Sequence, residues 1–93
     1  MGTSIQWYTG SLSGISLTAS QLTTQDIKMN KGVHILADTV NSGIVYLGPN
    51  SSITNLTGFP LASGDSILIP IRNMSDVWIL ASASGQRVWW MGL

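Results

Sequence analysis

The chain has no cysteine and no glutamate. Without thiols there is no disulfide framework, no thiolate zinc site and no cysteine nucleophile, so stability rests on packing or on assembly. Charge of either sign is scarce. Lys28, Lys31, Arg72 and Arg87 balance Asp26, Asp38, Asp65 and Asp76 to a net charge of zero, and charged residues make up 9% of the chain, against about 25% in an ordinary soluble domain. Four scattered cations make no basic field for a phosphate backbone, which argues against nucleic acid as a partner. No run approaches the roughly 18 apolar residues of a membrane span. The N-terminus also lacks the basic segment and apolar stretch of a signal peptide, so synthesis in a cytoplasm, with no membrane partner, is expected.

What remains is a short, uncharged and rather apolar chain. It has 93 residues and a mean hydropathy of +0.29. Surface scaling leaves on the order of 5,000 Å² exposed on a folded monomer of this mass. So few charges cannot cover that area. Either serine, threonine, asparagine and glutamine cover it, or other chains do.

The hydrophobic residues fall in short runs rich in Ile, Val, Leu, Thr and Trp, separated by Gly, Asn, Ser or Pro, which is strand spacing. The clearest runs are 5–9, 15–18, 33–37, 43–48, 66–71, 76–82 and 87–91, with a further short one at 52–57. No window repeats apolar residues at helical spacing over three turns. The expected fold is therefore all-β: a small antiparallel β-sandwich or jelly-roll-like barrel, one domain over 1–93, with 1–30 left open as an N-terminal arm. Runs 66–71, 76–82 and 87–91, joined by short linkers, suggest a C-terminal β-meander, and Gly85 is placed to supply a positive φ. Pro70 cannot donate a ladder hydrogen bond, which puts its strand at a sheet edge or at a bulge.

Three of these runs are apolar at every position: Ile44-Val45-Tyr46-Leu47, Ile67-Leu68-Ile69 and Val77-Trp78-Ile79-Leu80. A strand with one wet face alternates, so both faces of these need cover. In a sandwich only the inner face meets the opposing sheet, which leaves loops or another subunit for the outer one. The shortage of charge favours the subunit. Adjacent aromatics on a strand point to opposite faces, so one of Trp89 and Trp90 turns outward, and likewise one of Trp7 and Tyr8. With Trp78, these make Trp7, Tyr8, Trp78, Trp89 and Trp90 the candidate contact residues for an interface with another subunit.

Candidate chemistry is thin. His34 is the single histidine, on the face opposite Val33 and Ile35, and Asp38 shares its face, but one imidazole and one carboxylate lack the convergent partners of a catalytic or metal site. The glycines form neither a G-x-G-x-x-G nor a P-loop pattern. No enzyme, cofactor or metal is expected. Gly58 and Gly64 flank Phe59-Pro60-Leu61 as turn positions, letting Phe59 and Leu61 tuck under the sandwich end while Pro60 stiffens the loop; Asp65 caps the turn.

The succession Val45-Tyr46-Leu47-Gly48, Ser52-Ile53-Thr54, Gly58-Phe59-Pro60-Leu61, Gly64-Asp65-Ser66, Val77-Trp78-Ile79-Leu80-Ala81 and Gly85-Gln86-Arg87-Val88 resembles small β-sandwich structural proteins of tailed-bacteriophage virions, of the capsid decoration, cement or fibre type. The likeness covers a little over half of the chain, from Gly43 onward. It implies no chemistry. It implies a place on the virion's capsid surface as a homo-oligomer, a trimer in the decoration proteins, bound to the major capsid protein. The alternatives are a tail-fibre, head-fibre or baseplate component that contacts the host, and a carbohydrate-binding module stacking sugar on Trp78, Trp89 or Trp90.

Overall fold

The computed structural model describes residues 8–25 and 27–93. Among these the strands are β1 (Tyr8–Ile15), β2 (Ser20–Gln21), β3 (Val33–Ala37), β4 (Val45–Gly48), β5 (Phe59–Leu61), β6 (Ser66–Ile69), β7 (Trp78–Ala81) and β8 (Gln86–Gly92), with a 3-10 turn at Met74–Asp76. They form two four-stranded antiparallel sheets packed face to face, a β-sandwich as expected. The first sheet has the order β1-β8-β3-β6 and the second β2-β7-β4-β5.

Strand alternation builds the core. Val33, Ile35 and Ala37 of β3 and Val88 of β8 are fully buried from the first sheet, and Val45 and Ile79 from the second. Each large side chain buried in this way contributes roughly 1.5–3 kcal/mol. Ile15, Leu22 and Met29 join the same core. Residues 8–25 and 27–30 of the segment left open as an arm are thus built into the sandwich, while residues 1–7, Trp7 included, lie outside the described residues. Among the described residues Gln86 is the buried polar side chain. Its Oε1 accepts from the Gly43 N–H (2.9 Å) and its Nε2 donates to the Ser84 carbonyl (3.0 Å) and to Ser42 Oγ (3.2 Å), tying two loops to β8.

The C-terminal meander is corrected. β6 and β8 belong to the first sheet and β7 to the second, so the short linkers are crossings between layers and not hairpin turns. Pro70 stops β6. The chain then passes through the 3-10 turn, which buries Met74 completely beneath the sandwich end, with Asn73 Oδ1 capping it by accepting from the Ser75 N–H (3.1 Å). Gly85 adopts φ +80° in the return crossing. β6 lies at a sheet edge, one of the two placements that Pro70 left open.

β1 continues past the expected run 5–9 to Ile15, and Gly10 within it serves packing: the Trp90 indole occupies the space a side chain there would need. A bulge between Leu12 and Ile15 ends its regular pairing. Ser16 then accepts from the Ala81 N–H (2.8 Å), which carries the chain into the second sheet and closes that side of the sandwich. Phe59-Pro60-Leu61, expected as a stiffened loop, is instead the edge strand β5, with Pro60 opposite Tyr46. Leu61 is buried there, but Phe59 is 54% exposed. Gly64 (φ +84°) and Asp65 do form a turn, in which Asp65 Oδ2 accepts from the Ala62 N–H (3.2 Å).

The outer faces of the two sheets differ. Residues 52–57 form no strand; they belong to the β4–β5 loop, which folds over the outside of the second sheet. Ile53 of that loop is 8% exposed, and Leu80, on the outer face of β7, is 5% exposed. The cover that β4 and β7 needed thus comes from the chain's own loop. No described residue supplies such a cover for the first sheet.

Candidate functional site: the uncovered face of the first sheet

Residues directly opposite in a sheet project to the same side. The pairing of β1, β8, β3 and β6 therefore aligns two rows on the outer face: Ser11, Trp89, Leu36 and Ser66 in one, and Thr9, Met91, His34 and Leu68 in the next. Trp89 is 45% exposed, Leu36 39% and Leu68 56%. They form an apolar stripe across adjacent strands.

Trp89 is held in place. Its Nε1–H donates to Asp38 Oδ2 (3.0 Å), while Asp38 Oδ1 accepts from the Val40 N–H (3.0 Å). The Arg87 guanidinium lies 5.6 Å from the ring centroid, within cation–π range. The Val40 N–H, then the Trp89 N–H, then the Arg87 charge favour the ionised carboxylate, and they outweigh the opposing effect of desolvation to hold Asp38 below its usual carboxylate value. Arg87 and Asp38 thus form a polar rim at one end of the stripe. Beside it a shallow groove of about 290 Å³ is lined by Thr9, Gly10, Ser11, Trp89 and Trp90.

The apolar surface continues around β6. Ile67 and Ile69 point from this edge strand toward the second sheet, and with Leu47, Phe59, Ile71 and Val77 they line a groove of about 510 Å³ on the open side of the sandwich. Both surfaces suit contact with another protein better than chemistry. His34 has Met91 and Leu68 as its in-register neighbours, and Asp38 is engaged with Trp89. Among the described residues no group of three His, Cys, Asp or Glu side chains could hold a metal ion.

The candidate contact residues do not share one surface. Trp89 is the outward member of its pair and Trp90 the inward one, packed against the core. Tyr8 lies half-buried opposite Gly92, on the inner-facing row, and Trp78 is half-buried on the outside of the second sheet beside Gln21. The structure adds Leu36, Leu68, Met91, Asp38 and Arg87 to Trp89. The alternation of Leu36 and Leu68 with inward-facing neighbours was the available signal for two of them. Comparison of the chain with known protein families, characterised proteins and solved structures finds no match.

Proposed function

We propose that the chain is a bacteriophage capsid decoration (cement) subunit, a homo-oligomer that stabilises the shell by non-covalent contacts with the major capsid protein. The observation that carries this reading is the uncovered apolar face of the first sheet. A chain that folds its own loop over one outer face leaves Leu36, Leu68 and Trp89 open on the other. Those three side chains expose on the order of 300 Å², and burying it contributes up to about 7 kcal/mol before association costs. The resemblance of the sequence from Gly43 onward to virion structural proteins and the near absence of charge support the same reading. A trimer fits the decoration proteins the sequence resembles, and closed cyclic symmetry is the common outcome for homo-oligomers. Copy number in purified virions tests the proposal. Hundreds of copies per particle are expected; a handful would overturn the cement role.

One observation favours a second reading. An exposed indole pinned by a carboxylate, beside the hydroxyls of Thr9 and Ser11, suits a fibre or baseplate component that touches host carbohydrate. Tryptophan fluorescence titrated with a glycan panel separates the two. A saturable shift that vanishes in Trp89→Ala supports the fibre reading, and a flat response removes it.

A further inference from the structure

We infer that β6 and the groove beneath it receive one extended strand from a partner protein, a short segment of alternating branched apolar side chains with a basic residue at one end. For the source of that strand, the major capsid protein, the inference rests on the assembly reading above; its chemistry comes from the edge and the groove. β6 uses only half of its backbone groups in pairing with β3. The Ala37 N–H donates to the Asp65 carbonyl (2.9 Å), and hydrogen-bonded pairs alternate along an antiparallel ladder. Ile67 opposite Ile35 and Ile69 opposite Val33 are therefore the bonded pairs. The N–H and C=O groups of Ser66 and Leu68 point the other way, out of the sheet edge, and no described residue meets them. β6 and the residues that flank it are all described, and Ser66 and Leu68 are exposed.

The groove fixes what that strand carries. On the β1–β2 side the chain crosses between the sheets and closes the sandwich; on the β5–β6 side the two edges stand apart over about 510 Å³ of open space. A strand added to β6 has two faces. Side chains opposite Ile67 and Ile69 enter the groove toward Phe59 and Val77, where branched apolar residues suit a pleated surface, and those opposite Ser66 and Leu68 extend the outer stripe. One extended segment thus covers both apolar surfaces and also pairs the open N–H and C=O groups, which a helix or a small ligand does not. Asp76 is the charged residue among those lining the groove, exposed at the end where β6 stops and β7 is about to begin, and it selects a lysine or arginine there. The segment is short. β6 has four residues and Pro70 follows, so the edge takes one strand and does not seed a continuing sheet.

The probe is the peptide acetyl-Lys-Thr-Ile-Thr-Val-Thr-amide, laid antiparallel to β6 like the other pairings of the sheet, with its isoleucine and valine in the groove and its lysine at the Asp76 end. Titrated into the isotope-labelled chain, it is expected to bind saturably below about 1 mM. Amide exchange at Ser66 and Leu68 is expected to slow several-fold, while Ile67 and Ile69, already bonded to β3, change little. Methylating the backbone nitrogen of the threonine between isoleucine and valine removes a donor aimed at β6 and is expected to weaken binding about tenfold. Methylating the valine nitrogen, which points away from β6, is expected to leave binding unchanged. Asp76→Asn is expected to weaken it about two- to fivefold, and less at high salt. No saturable binding, binding without slowed exchange at Ser66 and Leu68, or equal losses from the two methylations overturns the inference. So does slowed exchange at those two amides that grows with chain concentration in the absence of peptide, because a second copy then fills the edge. If the peptide fails to bind while virions carry hundreds of copies, the inference fails and the decoration reading stands. If it binds with this pattern and virions carry a handful, the edge is a strand receptor and the decoration reading fails.

Discussion

Replacing Ile53 by serine removes the side chain that closes the outside of the second sheet. Ile53 is 8% exposed, and it lines the same surface pocket as Leu80, itself 5% exposed. Truncating a buried isoleucine costs about 2–5 kcal/mol, so a loss of about 3 kcal/mol is expected. For a domain whose total stability is about 5–14 kcal/mol by length, that is a large share. The melting temperature should fall by about 10–20 °C, and the urea midpoint should drop with little change in slope. Leu68→Ser is the matched control. Leu68 is 56% exposed on the face that has no cover, so in the monomer its loss should change stability by less than about 0.5 kcal/mol. The pair is measured by urea titration at a concentration where the chain is monomeric. A loss under about 1 kcal/mol for Ile53→Ser, or equal losses for the two variants, would refute the distinction between a loop-covered and an uncovered sheet.

Other outcomes follow from single contacts. Gln86→Leu strands the Gly43 N–H and the Ser84 carbonyl and should cost about 2–4 kcal/mol in chemical unfolding. Gly10→Val drives a side chain into the Trp90 indole; overpacking of about 1–3 kcal/mol should appear as a lower midpoint together with altered near-ultraviolet dichroism. Asp38 is held below its ordinary carboxylate value, so its contribution is present above the unfolded value near 4 and is lost as pH falls through the lower folded value. Unfolding midpoints measured down an acid series should show this loss in the wild-type chain and not in Asp38→Asn.

What the sequence made legible was local. Trp89 and Trp90 had to part to opposite faces because a strand alternates, and they do. Val33, Ile35 and Ala37 point inward for the same reason, and Pro70 limited its strand to an edge or a bulge, of which the edge is found. The misread features depend on neighbours far along the chain. Gly10 and the serines around it look like loop residues until the Trp90 indole, eighty positions away, is seen filling the gap. The linkers around β7 have hairpin length, and only the strand pairing, which puts β6 and β8 in one sheet and β7 in the other, shows that they cross between sheets. Ile53 as a lid for Leu80 is invisible without the fold. The Asp38–Trp89 hydrogen bond, between residues 51 positions apart, likewise needed β3 and β8 to be paired before it could be read.

The central claim is that the open face of the first sheet is finished by other protein surfaces in the assembled particle. Hydroxyl-radical footprinting of the isolated monomer against purified virions measures this at the residues concerned. The account predicts that oxidation of Trp89, Met91 and Leu68 falls several-fold in the particle while that of exposed Leu56, in the β4–β5 loop, serves as the reference. Equal oxidation of Trp89, Met91 and Leu68 in the two states would contradict it.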